Sequence, residues 1–145
     1  MIDFVTELSR IARSIKPGFM VIAQNAEDLL SERRYRRVID GLGKEDLLHG
    51  HNGTGERNPA KDIQWSRELM AKLQADYKPV FAVEYLVTRE SIAETRAELE
   101  KLGLVPTFQH RSLDGSDPTR PRLRTDAEYG SPEWIAKNCT KENSW

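Results

Sequence analysis

Val80-Phe81-Ala82-Val83-Glu84-Tyr85-Leu86, entered through Lys78-Pro79, is the stretch that decides the fold. It is a near-continuous apolar run broken by a single carboxylate. Such runs fit a strand covered on both faces, as in a parallel sheet. The next segment has helical spacing. Thr88 is a good N-cap, Glu90 sits in the first turn, Ile92, Leu99 and Leu102 share a face, and Gly103 supplies the stop. A buried strand leading into a helix is the unit of a β/α fold.

The unit recurs on either side. Downstream, Leu104–Arg111 reads as a strand, with Pro106 marking its start or an irregular ladder. Upstream, Lys61 to Tyr77 is expected to be a helix, with Ile63, Ser66, Met70, Leu73 and Tyr77 near one face. Further strands are expected at Phe19–Asn25 and, from its place in the repeat, at Val38–Leu42. The charged segment Ala26 to Arg37 between them reads as a short helix or a pair of turns. The loop from His49 to Pro59 is long for a compact domain, which points to function or disorder.

Ile2 to Ile15 carries Phe4, Leu8, Ile11 and Ile15 at helical spacing, the pattern of one buried face, and Pro17-Gly18 stops it. A helix at that place should come after an earlier strand. The expected fold class is therefore α/β: four parallel strands with helices, the C-terminal half of a (β/α)8 TIM barrel. That domain would span residues 1–114, and residues 115–145 would form an irregular tail with one short helix starting at Ser131-Pro132.

Composition narrows the function. Among 145 residues, 31% are charged and the formal net charge is −1, so there is no global pull toward nucleic acid or anionic membrane. The basic run Arg33-Arg34-Tyr35-Arg36-Arg37 reads as a solvated helix face. No apolar stretch is long enough to span a bilayer, and no charged-then-apolar leader is visible. The single cysteine, Cys139, permits no intrachain disulfide. His49-Gly50-His51 resembles a metal pair by type only, and Gly41-x-Gly43 lacks the third glycine of a dinucleotide loop, so neither a metal nor a cofactor is expected.

In parallel β/α units the strand C-termini share one rim, where chemistry is done. Those ends are Gln24 and Asn25, Glu45 and Asp46, Glu84 and Tyr85, and Gln109 to Arg111, with Asp114 in the last loop. Two acids on neighbouring strand ends are the equipment of a glycosidase, in which one carboxyl protonates the leaving oxygen and another attacks or activates water. Each has a plainer reading. Glu84 could form a structural ion pair, Glu45 could simply be exposed, Gln24 and Asn25 could satisfy backbone groups, and His110 and Arg111 could pair with Asp114.

Four segments in register, Pro17 to Leu30, Ile39 to Leu48, Lys78 to Leu86, and Gly103 to Phe108 with Arg111 to Asp114, resemble glycoside hydrolase family 114, the endo-α-1,4-polygalactosaminidase-like proteins. The resemblance covers roughly residues 1 to 114. It implies a TIM barrel that hydrolyses galactosamine-containing polysaccharide, extracellular or periplasmic in the parent family. It places the family's acids on Glu45 and Glu84 as catalytic residues, with Gln24, Asn25, Tyr85, Arg111 and Asp114 binding substrate. The family's further essential aspartate, at the end of its fourth strand, has no match in this sequence. A poor enzyme in isolation is therefore expected, with a tendency to self-associate through open barrel edges. The alternative is a non-catalytic carbohydrate-binding or assembly half-barrel, with Tyr85 and Trp65 as sugar-stacking faces.

Overall fold

Four apolar or glycine-rich runs become four strands, and the amphipathic runs between them become the returning helices. The computed structural model describes residues 1–86 and 88–111. In chain order the elements are α1 (Ile2–Ile15), β1 (Ile22–Gln24), a 3-10 turn (Glu27–Ser31), α2 (Arg33–Val38), β2 (Gly41–Glu45), α3 (Ala60–Ala75), β3 (Val80–Glu84), α4 (Arg89–Lys101) and β4 (Val105–Phe108). The strands form one sheet in the order β1-β2-β3-β4, and every pair is parallel. The α/β class with four parallel strands and helices is as the sequence implies. No helix among the described residues is long and apolar enough to cross a membrane.

Strand periodicity gives the sheet two unlike faces. Leu42, Val80, Ala82, Glu84 and Phe108 lie on one face and are buried. They pack with Leu30, Tyr35, Met70, Leu73, Ile92 and Leu99 from the helical segments in one core. The other face carries Ile22 and Gln24, Glu45, Phe81 and Val83, and Val105 and Thr107, none of them buried.

Several expected boundaries move. The second strand is Gly41–Glu45, not Val38–Leu42, because Val38 closes α2 and Ile39 packs into the core beneath it. Two glycines give this strand its fit. A Cβ on Gly41 would stand 3.0 Å from Pro79 O, and one on Gly43 would collide with the Gln24 side chain. The first strand shrinks to three residues, and Phe19 and Met20 before it are exposed. Helix α3 stops at Ala75, and Tyr77, expected on its buried face, stands 98% exposed at φ 58°.

The largest departure is α1. Its stripe of Phe4, Leu8, Ile11 and Ile15 is exposed rather than buried. The buried position is Ser9, whose hydroxyl donates to Val38 O at 3.1 Å. Arg13 anchors the same side of the helix, donating to Asp40 Oδ2 at 2.7 Å, an oxygen that also accepts from Val21 N. The helix is thus held by these polar anchors and by Ile2 and Val5, which pack against the core, while the stripe of Phe4, Leu8, Ile11 and Ile15 stays exposed.

The basic run is spent locally. Arg36 donates to Asp76 at 2.7 Å and to Leu30 O, Arg34 pairs with Asp3, and Tyr35 is buried. A buried ion pair, Lys44 with Glu27 at 2.9 Å, ties β2 to the 3-10 turn, and Ser66 of α3 donates to the same Glu27 oxygen at 3.1 Å.

Candidate active site

The C-terminal ends of β1, β2 and β3 converge on one polar cluster. Asn25 succeeds β1 in the left-handed region at φ 48°, and Asp46 succeeds β2 at φ 50°. Non-glycine residues held there carry strain, and such strain gathers at working sites. Each bend is fixed by a backbone bond to the neighbouring strand: Asn25 N donates to Gly43 O at 2.8 Å, and Asp46 N to Val83 O at 3.0 Å.

The bend at Asn25 turns its side chain toward Glu45. Asn25 Nδ2 donates to Glu45 Oε2 at 3.2 Å, while Glu45 N donates to Asn25 Oδ1 at 2.8 Å. This reciprocal pair fixes the Glu45 carboxylate at the rim of the helix-free face. Tyr85 continues β3 on the same parity. Its phenol is held above the usual range by burial first, then by the negative charge of Glu45, with Asp46 adding to the effect. Arg111 closes the cluster from the end of β4. Its guanidinium lies 4.6 Å from the Tyr85 ring centroid and donates to Asp46 Oδ1 at 2.9 Å. Arg111 thus pairs with Asp46, whereas the salt bridge considered with Asp114 involves a residue outside the described ones. Gln24 shares the face, its side-chain oxygen lying over Gly43.

The structure therefore brings together Gln24, Asn25, Glu45, Tyr85 and Arg111, and adds Asp46. Asp114, expected to bind substrate, lies outside the described residues, as does the tail 115–145. Trp65, offered as a stacking platform, sits half-exposed on α3, away from the rim cluster. Tyr85 has its ring covered by Arg111 and is itself buried, so it presents no open stacking face.

Glu84 is not brought to the cluster. Its side chain is 0% exposed, on the helix-covered face. Its oxygens accept from Leu48 N at 2.7 Å and His49 N at 3.2 Å, so it holds the turn that leaves β2. Burial pushes its carboxyl up to about 7, against the lowering by those two N–H groups, and the Asp46 charge raises it further. The expected pairing of Glu45 with Glu84 across the rim is replaced by two separate sites.

In sequence His49 is only half of a weak metal pair. In the structure its Nδ1 lies 3.4 Å from Glu84 Oε2, buried and without a hydrogen-bond partner among the described residues. Burial, then the Arg57 charge, lowers its affinity for a proton. A protonated Glu84 facing a neutral imidazole satisfies both groups, since the carboxyl hydrogen can bridge to Nδ1. His51 points elsewhere, 3.9 Å from Asp62. The loop carrying them is ordered: His49 bridges Arg57, and Asn58 donates to Asp46 O and Leu47 O and accepts from His51 N. Asn58 is a residue that sequence reasoning missed. Its position at the end of a long polar loop carried no signal of burial.

No protein-family model matches this chain. Over 118 residues it is 30% identical to an uncharacterized protein of Deinococcus radiodurans. The aligned region is 79% of this chain and 36% of that protein, so the chain spans about a third of the length of the relative it matches.

Proposed function

We propose that this chain is the C-terminal half of a TIM-barrel glycoside hydrolase like those of family 114, and that Glu45 is its acid/base residue on an amino-sugar polysaccharide. The observation that carries the reading is the Glu45 carboxylate. It stands at a strand C-terminus on the helix-free face, gripped by Asn25 and near enough to Tyr85 for its charge to raise that phenol. A general acid needs this kind of fixed carboxyl at the mouth of a β/α sheet. Gln24, Asp46 and Arg111 supply hydrogen-bonding groups around it. Glu84 acts through position: it fixes the turn that bears Asp46, which in turn holds Arg111 over Tyr85. A substrate of this class places the work outside the cytoplasm.

Glycoside hydrolysis requires a second carboxyl across the scissile bond. In the resembled family an aspartate one strand before β1 is essential, and the described residues contain no counterpart. A second reading is a carbohydrate-binding half-barrel without turnover. The covered ring of Tyr85 weighs against it, because sugar-binding modules rely on open aromatic faces.

The test is incubation of the chain with α-1,4-linked galactosamine oligosaccharides, tracking products by mass spectrometry and binding by calorimetry. Slow cleavage that Glu45→Gln reduces at least about a hundredfold, with binding retained, is the expected result. Binding without cleavage favours the second reading, and neither binding nor cleavage overturns both.

A further inference from the structure

The two bends at the strand ends are held in different ways. Asn25 locks itself, because its side chain makes the reciprocal pair with Glu45. Asp46, at φ 50°, has its carboxylate turned to Arg111 at 2.9 Å, so its bend depends on support from elsewhere. A non-glycine residue stays in this region only where its surroundings over-determine it. Besides the backbone bond to Val83, that support is the buried side chain of Asn58. Its Nδ2 donates to Asp46 O at 2.8 Å and to Leu47 O at 3.0 Å, and its Oδ1 accepts from His51 N at 2.9 Å. Its backbone N donates to Leu48 O at 2.8 Å. Glu84 takes the same turn through Leu48 N and His49 N.

We propose that Asn58 is a positioning residue of the candidate site: with Glu84 it clamps the turn 46–49, so that Asp46 keeps Arg111 on the Tyr85 ring. The clamp stands on its own geometry, and its consequence for binding rests on the function proposed above. A short amide suits the place. Both Nδ2 hydrogens meet carbonyls and the oxygen meets an N–H, whereas a carboxylate has no hydrogen to give and a hydroxyl has one. The clamp is rigid because Pro59 follows it and restricts the Asn58 backbone. Pro59 O accepts from Asp62 N and Ile63 N in the first turn of α3, and Ile63 belongs to the core. Asn58 thus carries the rigidity of the core to Asp46. At 4% exposed it offers a ligand almost no surface, so its effect on binding runs through Asp46 and Arg111.

The experiment is nuclear magnetic resonance of the Arg111 Nε–H group in the full chain, assigned by its loss in Arg111→Ala, with titration of galactosamine oligosaccharides beside it. In the wild type the guanidinium, 4.6 Å from the Tyr85 centroid, carries a ring-current shift. Asn58→Ala should move that signal to the position of a free arginine with the circular dichroism unchanged. Oligosaccharide affinity should fall about tenfold, the scale of one lost hydrogen bond to a charged group. The same substitution should cost nothing further once Arg111 is alanine, because the two residues act in series. If Asn58→Ala does not fold, Asn58→Ser keeps one donor and is read in the same way. An unmoved Arg111 signal in a folded variant overturns the proposal, and so do additive losses of affinity. Failure of both variants to fold also overturns it, since Asn58 is then part of the scaffold alone. A signal that moves in a protein that neither binds nor cleaves the oligosaccharides leaves the clamp standing and sinks only the function proposed above.

Discussion

Glu45 is in register with Val83, not with Glu84, and that one-residue offset sends the two carboxylates to opposite faces of the sheet. Side chains alternate along a strand, so a single step exchanges the core for the open side. Glu45 meets Asn25 and Tyr85 on the helix-free face, and Glu84 is buried beneath the turn at Leu48 and His49. Two acids that look equivalent in sequence therefore have different work, and separate substitutions should tell them apart.

Glu45→Gln should lower turnover at least about a hundredfold and leave thermal unfolding nearly unchanged, since the residue is partly exposed and the amide can still meet Asn25. Glu84→Gln should do the reverse. Its amide has one acceptor oxygen where the carboxylate offers two, so one of the Leu48 and His49 N–H groups loses its partner, at a cost of about 1–3 kcal/mol. Parallel kinetic and urea-denaturation measurements on the two variants check the division. Equal losses of activity at unchanged stability would refute it.

Stability should fall as pH rises from about 4.5 to about 7, because of Glu84. Its folded pKa is raised to about 7 from the ordinary 4.5, so in that window the folded chain holds a proton that the unfolded chain has released. The contribution is complete below the unfolded value and is lost as pH passes the folded one. His49 works the other way. Its folded pKa is lowered from 6.5, so stability is regained as pH climbs toward 6.5 and is complete above it. Glu84→Gln removes the first slope and leaves the second. Urea midpoints from pH 4.5 to 7.5 for both proteins test this, and parallel profiles would contradict the assignment.

Much of the fold was legible because apolar runs and helical spacing are local signals. Val80–Glu84 announces itself, and Ile63, Ser66, Met70 and Leu73 are buried as their spacing implies. Gly41–Glu45 reads three residues early, as Val38–Leu42, because it contains one apolar side chain. Its fit depends on the absence of Cβ atoms opposite Ile22 and Gln24, which only pairing reveals. The site was legible as a set of strand ends, but register decided which of them meet. Parity within β3 already puts Glu84 with Val80 and Ala82, yet which face is covered depends on α3 and α4. The Lys44–Glu27–Ser66 link joins residues 17 and 39 positions from Glu27, beyond the reach of any local pattern.

Gly50→Ala should damage the site from outside it. Gly50 has φ 117°, a conformation that an L side chain rarely adopts, and an added Cβ would fall 2.3 Å from Asp46 Oδ1 and 3.0 Å from Arg111 Nη2. Asp46 must then leave Arg111, freeing the guanidinium from the Tyr85 ring. The expected cost is about 1–3 kcal/mol of stability from the backbone, with a loss of oligosaccharide affinity. Arg111→Ala should reproduce the affinity loss while costing less than about 1 kcal/mol, because that ion pair is partly solvated. Calorimetric titration of both variants checks the shared effect, and denaturation checks the difference.

Lys44→Ala should be among the most destabilising single changes in the chain. Lys44 and Glu27 are nearly buried, with side chains 11% and 8% exposed. Burial alone would raise the Glu27 carboxyl; the Lys44 bond outweighs it, helped by the residue's own backbone N–H and by Ser66, and the net shift is downward. Removing the ammonium leaves a carboxylate in the core without its counter-charge, a loss of about 3–5 kcal/mol where such pairs are broken from one side. Replacing both, Lys44→Met with Glu27→Leu, removes the unpaired charge together with the pair, and about neutral to stabilising is expected. Urea denaturation of the single and double variants decides the matter. If the double variant is no more stable than the single one, the loss comes from misfit of β2 against the 3-10 turn and not from an abandoned charge.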